Sequence, residues 1–309
     1  MTRCLVFALL LLLSSACLAQ TSSRRPEIAG ISHISVYTSK PDATDRFYTH
    51  DVGLTKGDDP ENPNGVRYYV NGFQFVEVLP LPAGAGNTRL DHLAYMTTDA
   101  ERLRAYLGAH GTAVPAGVEK GSDGSSWFDV KDPEGNKVEF VQPPKPVLGT
   151  NPRGPIGGRI IHVGMLVHSR EAEDVFYRGL LGFKPYWFGG MKEGKIDWVS
   201  QQVPNGTDWL EYMLTSGPSG GGIQDVSQKQ LGVLNHLSIG VVNMEQAVTK
   251  LDSEGRLENE HTGMQIGKDG KWQYNLFDPD GTRLELMEYS AVEKPCCSPF
   301  TGTDPTPEK

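Results

Sequence analysis

The chain has 309 residues, of which 38% are hydrophobic and 22% are charged, and its net charge is −9 at neutral pH. This composition is typical of a folded globular protein, and the length allows two ordinary domains or several small repeats. A nucleic-acid partner requires a basic face that neutralises phosphates. No long basic run occurs, so we expect no such partner.

The first segment of the chain predicts export. Arg3 supplies a positive charge, an apolar run covers residues 5–13, and small residues follow up to Ala19. This pattern is typical of a secretory signal peptide, residues 1–19, with a periplasmic or extracellular protein after cleavage near Ala19. The apolar run is too short to span a bilayer comfortably, so we predict no stable membrane span. A lipoprotein, with Cys17 as the lipidated residue, is the alternative.

Four segments of the chain begin and end alike, which indicates an internal repeat. Each begins with an apolar strand that contains one His, continues into a helix and ends with a strand that contains one Glu. The first and third share a Phe-Tyr pair in the helix, at residues 47–48 and 176–177. The second and fourth share a hairpin with an Asp-Pro-acid-Gly turn, at residues 132–135 and 278–281. The units therefore follow the order A, B, A, B.

The spacing of these units predicts two domains of similar size. Pro and Gly residues between positions 144 and 158 indicate a linker. We therefore assign the first domain to residues 28–143 and the second to residues 159–290, with two β-α-β-β-β units in each. The tail, residues 291–309, is rich in Pro, Thr and Gly, and we expect it to be disordered.

The four cysteines do not provide a disulfide framework. Cys4 and Cys17 fall in or beside the predicted signal peptide, and Cys296 and Cys297 are adjacent in the tail. Adjacent cysteines can form a strained ring or hold a soft metal ion. We interpret this pair as two exposed thiols on the tail.

The His and Glu of each unit form a pattern that points to metal binding. Side chains alternate between the two faces of a strand, and neighbours such as Leu284 and Leu286 are apolar and expected to face the helices. The His and Glu would then face a cavity, where a carboxylate without a cation is costly. Two imidazoles and two carboxylates suit Zn²⁺, Ni²⁺, Fe²⁺, Mn²⁺ or Co²⁺. The predicted ligands are His33, Glu77, His92, Glu139, His162, Glu211, His236 and Glu285.

A strand His is also often a hydrogen-bonded core residue, and a strand Glu is often solvated. An inherited scaffold could therefore repeat this pattern without holding a metal in each half. The fourfold recurrence at matching places favours at least one working metal site.

Together these motifs resemble the vicinal oxygen chelate superfamily. Its members include glyoxalase I, extradiol ring-cleaving dioxygenases, methylmalonyl-CoA epimerase and the fosfomycin and bleomycin resistance proteins. The resemblance rests on the first-strand His, the Phe-Tyr…Leu-Gly helix end and the Asp-Pro-Asp-Gly…Glu hairpin, and it covers residues 28–289. It implies an α+β fold in which units pair into two half-open, barrel-like mixed sheets with helices outside. Units one and two could pair, and three and four, or one could pair with four and two with three.

The resemblance also implies a small-molecule substrate that binds the metal through two neighbouring oxygens. Two His and two Glu are similar to the ligand set of bacterial glyoxalase I. The favoured function is therefore an exported glyoxalase-like lyase or isomerase, in which Glu77 or Glu211 also acts as the base. An exported protein rarely meets glutathione adducts, which counts against that substrate. The sequence gives no indication of the oligomeric state.

An Fe²⁺ extradiol dioxygenase is the first alternative. It would use the two His and the last Glu of the second half as ligands, and it needs an acid–base His and a Tyr near the last hairpin. Tyr274 lies close to that place, but Asn275 occupies the aligned position, and His261 is the only His nearby. These departures from the family pattern put ring cleavage in doubt.

A non-catalytic binding protein of the resistance type is the second alternative. Such a protein needs no base and shows saturable binding without turnover. Its apolar pocket could be lined by aromatic residues of the second half, which are otherwise ordinary core residues: Trp187, Phe188, Trp198, Trp209 and Trp272.

Overall fold

The computed structural model describes residues 24–144, 155–192, 194–214 and 226–307. The predicted signal peptide and most of the predicted linker lie outside these residues. Within them, no helix is long and apolar enough to cross a membrane.

The first half forms an eight-stranded mixed sheet with helices on one face. Its helices are α1, Pro41–Arg46, which continues as a π-helical turn over Phe47–Asp51, and α2, Ala100–Ala109. Its strands are β1 Ile28–Thr38, β2 Thr55–Asp58, β3 Val66–Tyr69, β4 Phe75–Pro80, β5 Leu90–Thr97, β6 Glu119–Lys120, β7 Ser126–Lys131 and β8 Lys137–Gln142.

The second half repeats this arrangement. Its helices are α3, Arg170–Asp174, with a π-helical turn over Val175–Leu180, then α4, Gln228–Leu234, and α5, Met244–Ser253. Its strands are β9 Arg159–Val167, β10 Lys184–Gly189, β11 Trp198–Gln202, β12 Trp209–Leu214, β13 His236–Val241, β14 Gln265–Ile266, β15 Trp272–Phe277 and β16 Arg283–Glu288.

The order of strands is the same in both sheets. The first sheet runs β2-β3-β4-β1-β5-β8-β7-β6 and the second runs β10-β11-β12-β9-β13-β16-β15-β14. The first strands of two units pair antiparallel at the centre, and the last strand of each unit pairs parallel with its own first strand. Unit one therefore pairs with unit two, and unit three with unit four. The predicted α+β fold of two half-open sheets is confirmed.

The repeated hairpin turns fold in the same way in both halves. The Asp132 carboxylate accepts hydrogen bonds from the backbone N–H groups of Glu134 at 3.0 Å and Asn136 at 2.8 Å. The Asp278 carboxylate does the same for the residues two and four positions later. The Gly that ends the second turn, Gly281, has a φ of 91°, a conformation that favours glycine. These turns fix the register of the strands that carry Glu139 and Glu285.

Alternation along the strands separates the core from the site. Leu284 and Leu286 are fully buried in the apolar core that includes helix residues such as Leu251. Glu285, between them, therefore points to the other face of the sheet. The helix-facing sides of the sheets thus provide the core, and the opposite sides are left for polar side chains.

The tail is ordered through residue 307, contrary to the predicted disorder. Asp304 forms an ion pair with the buried Lys271 at 2.8 Å and accepts a hydrogen bond from the Tyr186 hydroxyl. Cys296 and Cys297 form a disulfide, so the prediction of two exposed thiols is also wrong. Composition misses this order because a buried lysine requires a partner carboxylate, and the tail provides it.

Candidate metal centres

The four predicted ligands of the second half meet in one cluster. The Nε2 atoms of His162 and His236 are 3.0 Å apart, and His162 Nε2 is 3.2 Å from Oε2 of Glu285. Glu211 approaches from β12, with Oε2 at 3.6 Å from Nε2 of His236. Gly164, directly opposite His236 on β9, leaves room for its imidazole, because a Cβ at position 164 would overlap that ring.

The orientation of these groups suits a divalent cation. His236 Nδ1 donates to the Leu234 carbonyl at 2.9 Å, so in the neutral ring Nε2 presents its lone pair to the cluster. Ligand atoms that bind one ion at 2.0–2.1 Å lie roughly 3 Å apart, and the His–His distance is of this size. The His162, His236 and Glu285 ligand atoms all lie within 4.8 Å of one another. The donor set therefore fits a metal such as zinc or iron.

Burial sets the protonation of this cluster in the metal-free protein. It lowers the pKa of His162 and of His236, so both rings are neutral and able to bind a metal at neutral pH. Burial, with a contribution from Glu285, raises the pKa of Glu211 to about 8. Burial opposes ionisation of Glu285 as well, but the Arg283 guanidinium and His162 hold its pKa below the ordinary value. One carboxylate is thus ionised at neutral pH, and the other carries a proton.

A cavity of about 600 Å³ lies beside this cluster. Glu211 and Glu285 line it, so both carboxylates face its interior. Its other lining residues include the cations Lys268, Arg283 and Lys294. Three of the predicted pocket aromatics, Trp187, Trp198 and Trp209, line it, whereas Trp272 packs against the helix-side core and Phe188 is not in the lining. The cavity can admit a small molecule to the cluster.

The predicted ligands of the first half also meet. The Nε2 atoms of His33 and His92 are 2.9 Å apart, and Glu139 lies 3.6 Å from His33 and 3.7 Å from His92. Ligand atoms of His33, Glu77 and His92 lie within 4.8 Å of one another. Glu61, from the loop before β3, joins His33 and Glu139 within the same distance. Sequence reasoning missed Glu61 because it lies outside the repeated strands.

A buried arginine distinguishes the first half from the second. Arg67 on β3 lies opposite Glu77, at the position that Ser200 occupies opposite Glu211. Its side chain is only 3% exposed and pairs with Glu61 at 2.6 Å and with Asp59 at 3.1 Å. The first cluster therefore has an internal cation beside the predicted ligands, where the second half has a small hydroxyl and a cavity.

The ring of Phe75 lies between the Arg67 guanidinium and His33 of the first cluster. The Arg67 guanidinium lies 4.2 Å from the centre of the Phe75 ring, and Phe75 stacks on His33 at 4.3 Å. Trp209 stacks on His162 in the matching way. In both clusters an aromatic ring thus stacks on the first-strand histidine. The clusters differ in the residue on the neighbouring strand, which is Arg67 in the first half and Ser200 in the second.

Burial also controls the protonation of the first cluster. It lowers the pKa of His33 and of His92, and His92 Nδ1 donates to the Asp91 carboxylate at 2.7 Å. Burial and the neighbouring Asp59 raise the pKa of Glu77 to about 8. Burial and Glu61 raise the pKa of Glu139 well above its ordinary value. This carboxylate-rich site therefore holds protons at neutral pH in addition to the Arg67 charge.

Tyr274, the candidate acid–base Tyr of a dioxygenase, faces away from the cluster. The Tyr274 hydroxyl is 2.8 Å from Nδ1 of His261, but Tyr274 is opposite Leu286 and belongs to the helix-side core. Asn275 lies opposite Glu285 and so shares its face, as the aligned position predicts. Within the part of the chain that the structure describes, no histidine lines the cavity as an additional acid–base group.

Residues 159–291 match the family described as the Glyoxalase/Bleomycin resistance protein/Dioxygenase superfamily. The resemblance to the vicinal oxygen chelate superfamily that the sequence motifs predict is confirmed for this second half, and the first half repeats its sheet topology and has a His/Glu cluster as well. A comparison with curated proteins finds no match.

Solved structures with this fold include homoprotocatechuate 2,3-dioxygenases from two bacteria. The Arthrobacter globiformis protein is 15% identical with a TM-score of 0.65, and the match covers 86% of this chain and 81% of that one. The Brevibacterium fuscum protein, in complex with 3,4-dihydroxyphenylacetate, is 16% identical with a TM-score of 0.62, over 91% and 84% of the two chains. At this identity the similarity establishes the fold and leaves the reaction open.

Proposed function

We propose that the second half is the centre of a divalent-metal-dependent lyase or isomerase that acts on a small substrate through two neighbouring oxygens. His162, His236 and Glu285 would hold the ion, with Glu211 as a fourth ligand or as the proton-transfer group. A bound divalent ion would polarise a substrate carbonyl and stabilise negative charge that develops on its oxygen. The supporting observation is that this cluster opens onto a cavity, whereas Arg67 occupies the matching place in the first half.

Glu211 is the best candidate for the base. Its side chain is 14% exposed, it lines the cavity, and Oε1 accepts a hydrogen bond from the Ser200 hydroxyl at 3.2 Å. Oε2 is the atom on the side of His236, so it could receive a proton from a carbon next to a substrate carbonyl and return it to the neighbouring carbon. A nearby cation would lower the raised pKa of this carboxyl and favour the ionised, basic form at neutral pH.

Glu77, the other predicted base, is a weaker candidate. It is fully buried, and its two oxygens accept hydrogen bonds from the Ser35 hydroxyl and from the Asn62 amide. Arg67 lies opposite it on the neighbouring strand. A base that is enclosed in this way has no room for a substrate carbon, so we assign it no role in turnover.

An Fe²⁺ dioxygenase is the second candidate. It is favoured by the group of two histidines and one carboxylate that lies within 4.8 Å, a set typical of non-haem iron oxygenases, and by the dioxygenases that share the fold. It is disfavoured because Tyr274 belongs to the helix-side core and His261 is hydrogen-bonded to its hydroxyl. Glu211 would then have to accept the proton from a catechol hydroxyl.

Metal content tests the proposed centre directly. The chain, purified without chelators, would be analysed by elemental mass spectrometry beside the variants His236→Ala and His92→Ala. We expect one ion per chain, lost in His236→Ala and retained in the matched variant His92→Ala. Loss in His92→Ala alone would place the centre in the first half and contradict the proposal. If the chain binds no ion even after reconstitution with metal, the metal-dependent reaction is contradicted. A non-catalytic binding protein would then be the remaining function.

Turnover then tests the reaction. Glu211→Gln should abolish isomerisation of α-hydroxycarbonyl substrates while most of the metal stays bound, and Glu77→Gln, the matched change in the first half, should keep activity. Unchanged turnover in Glu211→Gln would contradict its role as base. Oxygen uptake with catechols by the iron-loaded protein would support the dioxygenase instead.

Export remains a prediction from residues 1–19. Cell fractionation and the mass of the mature protein would test it. A mature chain that begins at Gln20 in the periplasm or medium is the expected result, and a full-length chain in the cytoplasm would contradict it.

A further inference from the structure

We propose that the tail segment 293–304 is a detachable wall of the second-half cavity, and that Cys296 and Cys297 form a thiol-reducible site that fixes this wall. The inference rests on the proposed function only in taking this cavity as the substrate site. It concerns access to the site and does not depend on which reaction takes place there.

The tail contributes directly to the cavity. Glu293, Lys294, Cys296 and Phe300 line the same cavity as the carboxylates of the metal cluster. A substrate that reaches the cluster therefore meets side chains of the tail as well as those of the sheet. The tail is consequently placed to control both access and the shape of the bound molecule.

The tail connects the two free edges of the half-open sheet. Strand β10 is one edge of the second sheet, and β14 is the other. On the β14 side, the Cys296 N–H donates to the Lys268 carbonyl at 2.7 Å, in the turn between β14 and β15. On the β10 side, the Phe188 N–H donates to the Ser298 hydroxyl at 2.9 Å, and the Trp187 indole donates to the Cys296 carbonyl at 3.1 Å.

The disulfide lies at the point where the tail crosses between these edges. Cys296 contacts both sides, through the Lys268 carbonyl and the Trp187 indole, and Ser298 adds the contact with Phe188, so the Cys296–Cys297 bond lies within this connection. Further along, Asp304 joins Lys271 at the start of β15 to Tyr186 of β10 and forms a second connection. Loosening the first connection would open the wall over the cavity while the second keeps the tail attached.

The backbone at Cys297 explains why the bond matters. Its φ is 77°, and it is the single non-glycine residue with a positive φ in the described part of the chain. A residue with a side chain disfavours this left-handed region by roughly tenfold. The ring formed by adjacent cysteines restricts the intervening peptide, whereas two free thiols would let Cys297 return to ordinary conformations and weaken the contacts on either side.

The chemical step is a two-electron reduction by a dithiol. A thiolate of the reductant attacks one sulfur of the pair and releases the other as a thiolate, which takes up a proton. The second thiol of the reductant then closes its own disulfide and frees the first cysteine as a thiol. The Cys296–Cys297 bond is broken, the dithiol is oxidised, and no further co-reactant is required.

Hydrogen exchange of the metal-free full chain tests the inference without any substrate. After treatment with dithiothreitol, we expect amides of residues 293–301 to exchange roughly tenfold faster, the factor given by the left-handed conformation of residue 297. The double variant Cys296→Ser/Cys297→Ser should exchange at the faster rate with or without dithiothreitol. Cys4 and Cys17 lie in the predicted signal peptide, so the same result in a chain that begins at Gln20 excludes any effect of those thiols.

Acrylamide quenching of tryptophan fluorescence provides a second measurement. Because Trp187 and Trp198 line the cavity, quenching should increase on reduction and be constitutively high in the double variant. Equal exchange and equal quenching in the oxidised and reduced chains would overturn the proposal. An effect of dithiothreitol that persists in the double variant would overturn it as well. A chain that shows the expected change but binds no metal would refute the proposed function. The proposal that reduction opens the wall over the cavity would still hold.

Discussion

Replacing the buried arginine of the first half gives the sharpest test of why the two clusters differ. In Arg67→Leu, the Asp59 and Glu61 carboxylates lose a partner that lies 3.1 and 2.6 Å away, and Asp123 loses one at 3.7 Å. Removal of one partner from a buried ion pair typically costs about 3–5 kcal/mol. We therefore expect the free energy of unfolding to fall by about that amount near pH 8.

The pH dependence of this loss follows from Glu61. Burial raises its pKa to about 7, although Arg67 opposes that shift, so removal of the arginine should raise the pKa further. A carboxyl whose pKa is higher in the folded than in the unfolded protein stabilises the fold below the unfolded value, near 4.5, and loses this contribution as pH rises. The destabilisation in Arg67→Leu should therefore be smaller at pH 5 than at pH 8.

Urea denaturation at both pH values, followed by circular dichroism, measures this effect. Lys229→Met is the matched control, because it breaks an exposed ion pair with Glu260, which is expected to contribute less than about 1 kcal/mol. A loss below about 1 kcal/mol for Arg67→Leu at pH 8, or a larger loss at pH 5, would refute the argument that Arg67 is the internal counter-ion of this cluster.

Three further predictions concern the second cluster. Ser200→Arg would introduce the side chain of the first half into the second cavity and should abolish metal binding in calorimetry, whereas Ser200→Ala should bind normally. Near pH 7, metal binding should release about one proton from Glu211, because its carboxyl is protonated below a pKa of about 8. Calorimetry in buffers of different ionisation enthalpy measures this release, and its persistence in Glu211→Gln would contradict the assignment. Gly164→Ala should displace His236, lower the stability by about 1–3 kcal/mol and weaken metal binding, as measured by urea denaturation and metal titration.

Much of the candidate site could be predicted because its residues repeat with the strands. His162 and His236 occupy the first strand of their units, and Glu285 lies six residues after the Pro of a recognisable turn. Since side chains alternate along strands, positions that match between units must face the same side of a shared sheet. The pairing of units could not be predicted, because both arrangements bring two His and two Glu together.

Other features depend on contacts between distant residues. Arg67 occupies one position on a short strand outside the repeated motifs, and nothing in the sequence links it to Glu61 and Asp59 in the preceding loop. Lys271 meets Asp304 across a separation that no local pattern describes. Alternation could have shown that Tyr274 faces away from Glu285, since Asn275 already occupies the shared face.

One missed element had a clear local signal. Helix α4 begins after Ser227, which forms a capping box with Gln230, and this Ser-x-x-Gln pattern precedes an apolar run. The helix ends immediately before β13 and so fixes the start of the strand that carries His236. The capping box of Ser227 and Gln230 is therefore sufficient to predict this helix from the sequence.

The tail also protects the sheet from other chains. An exposed edge strand presents unpaired backbone groups that can recruit a strand from a neighbouring molecule and start aggregation. Along β10, the Phe188 N–H is hydrogen-bonded to Ser298, and the Tyr186 carbonyl accepts from the Thr301 N–H at 2.9 Å. A protein that lost its last eighteen or so residues would therefore have an open cavity and unpaired backbone groups along β10. We expect such a protein to associate with other copies of itself.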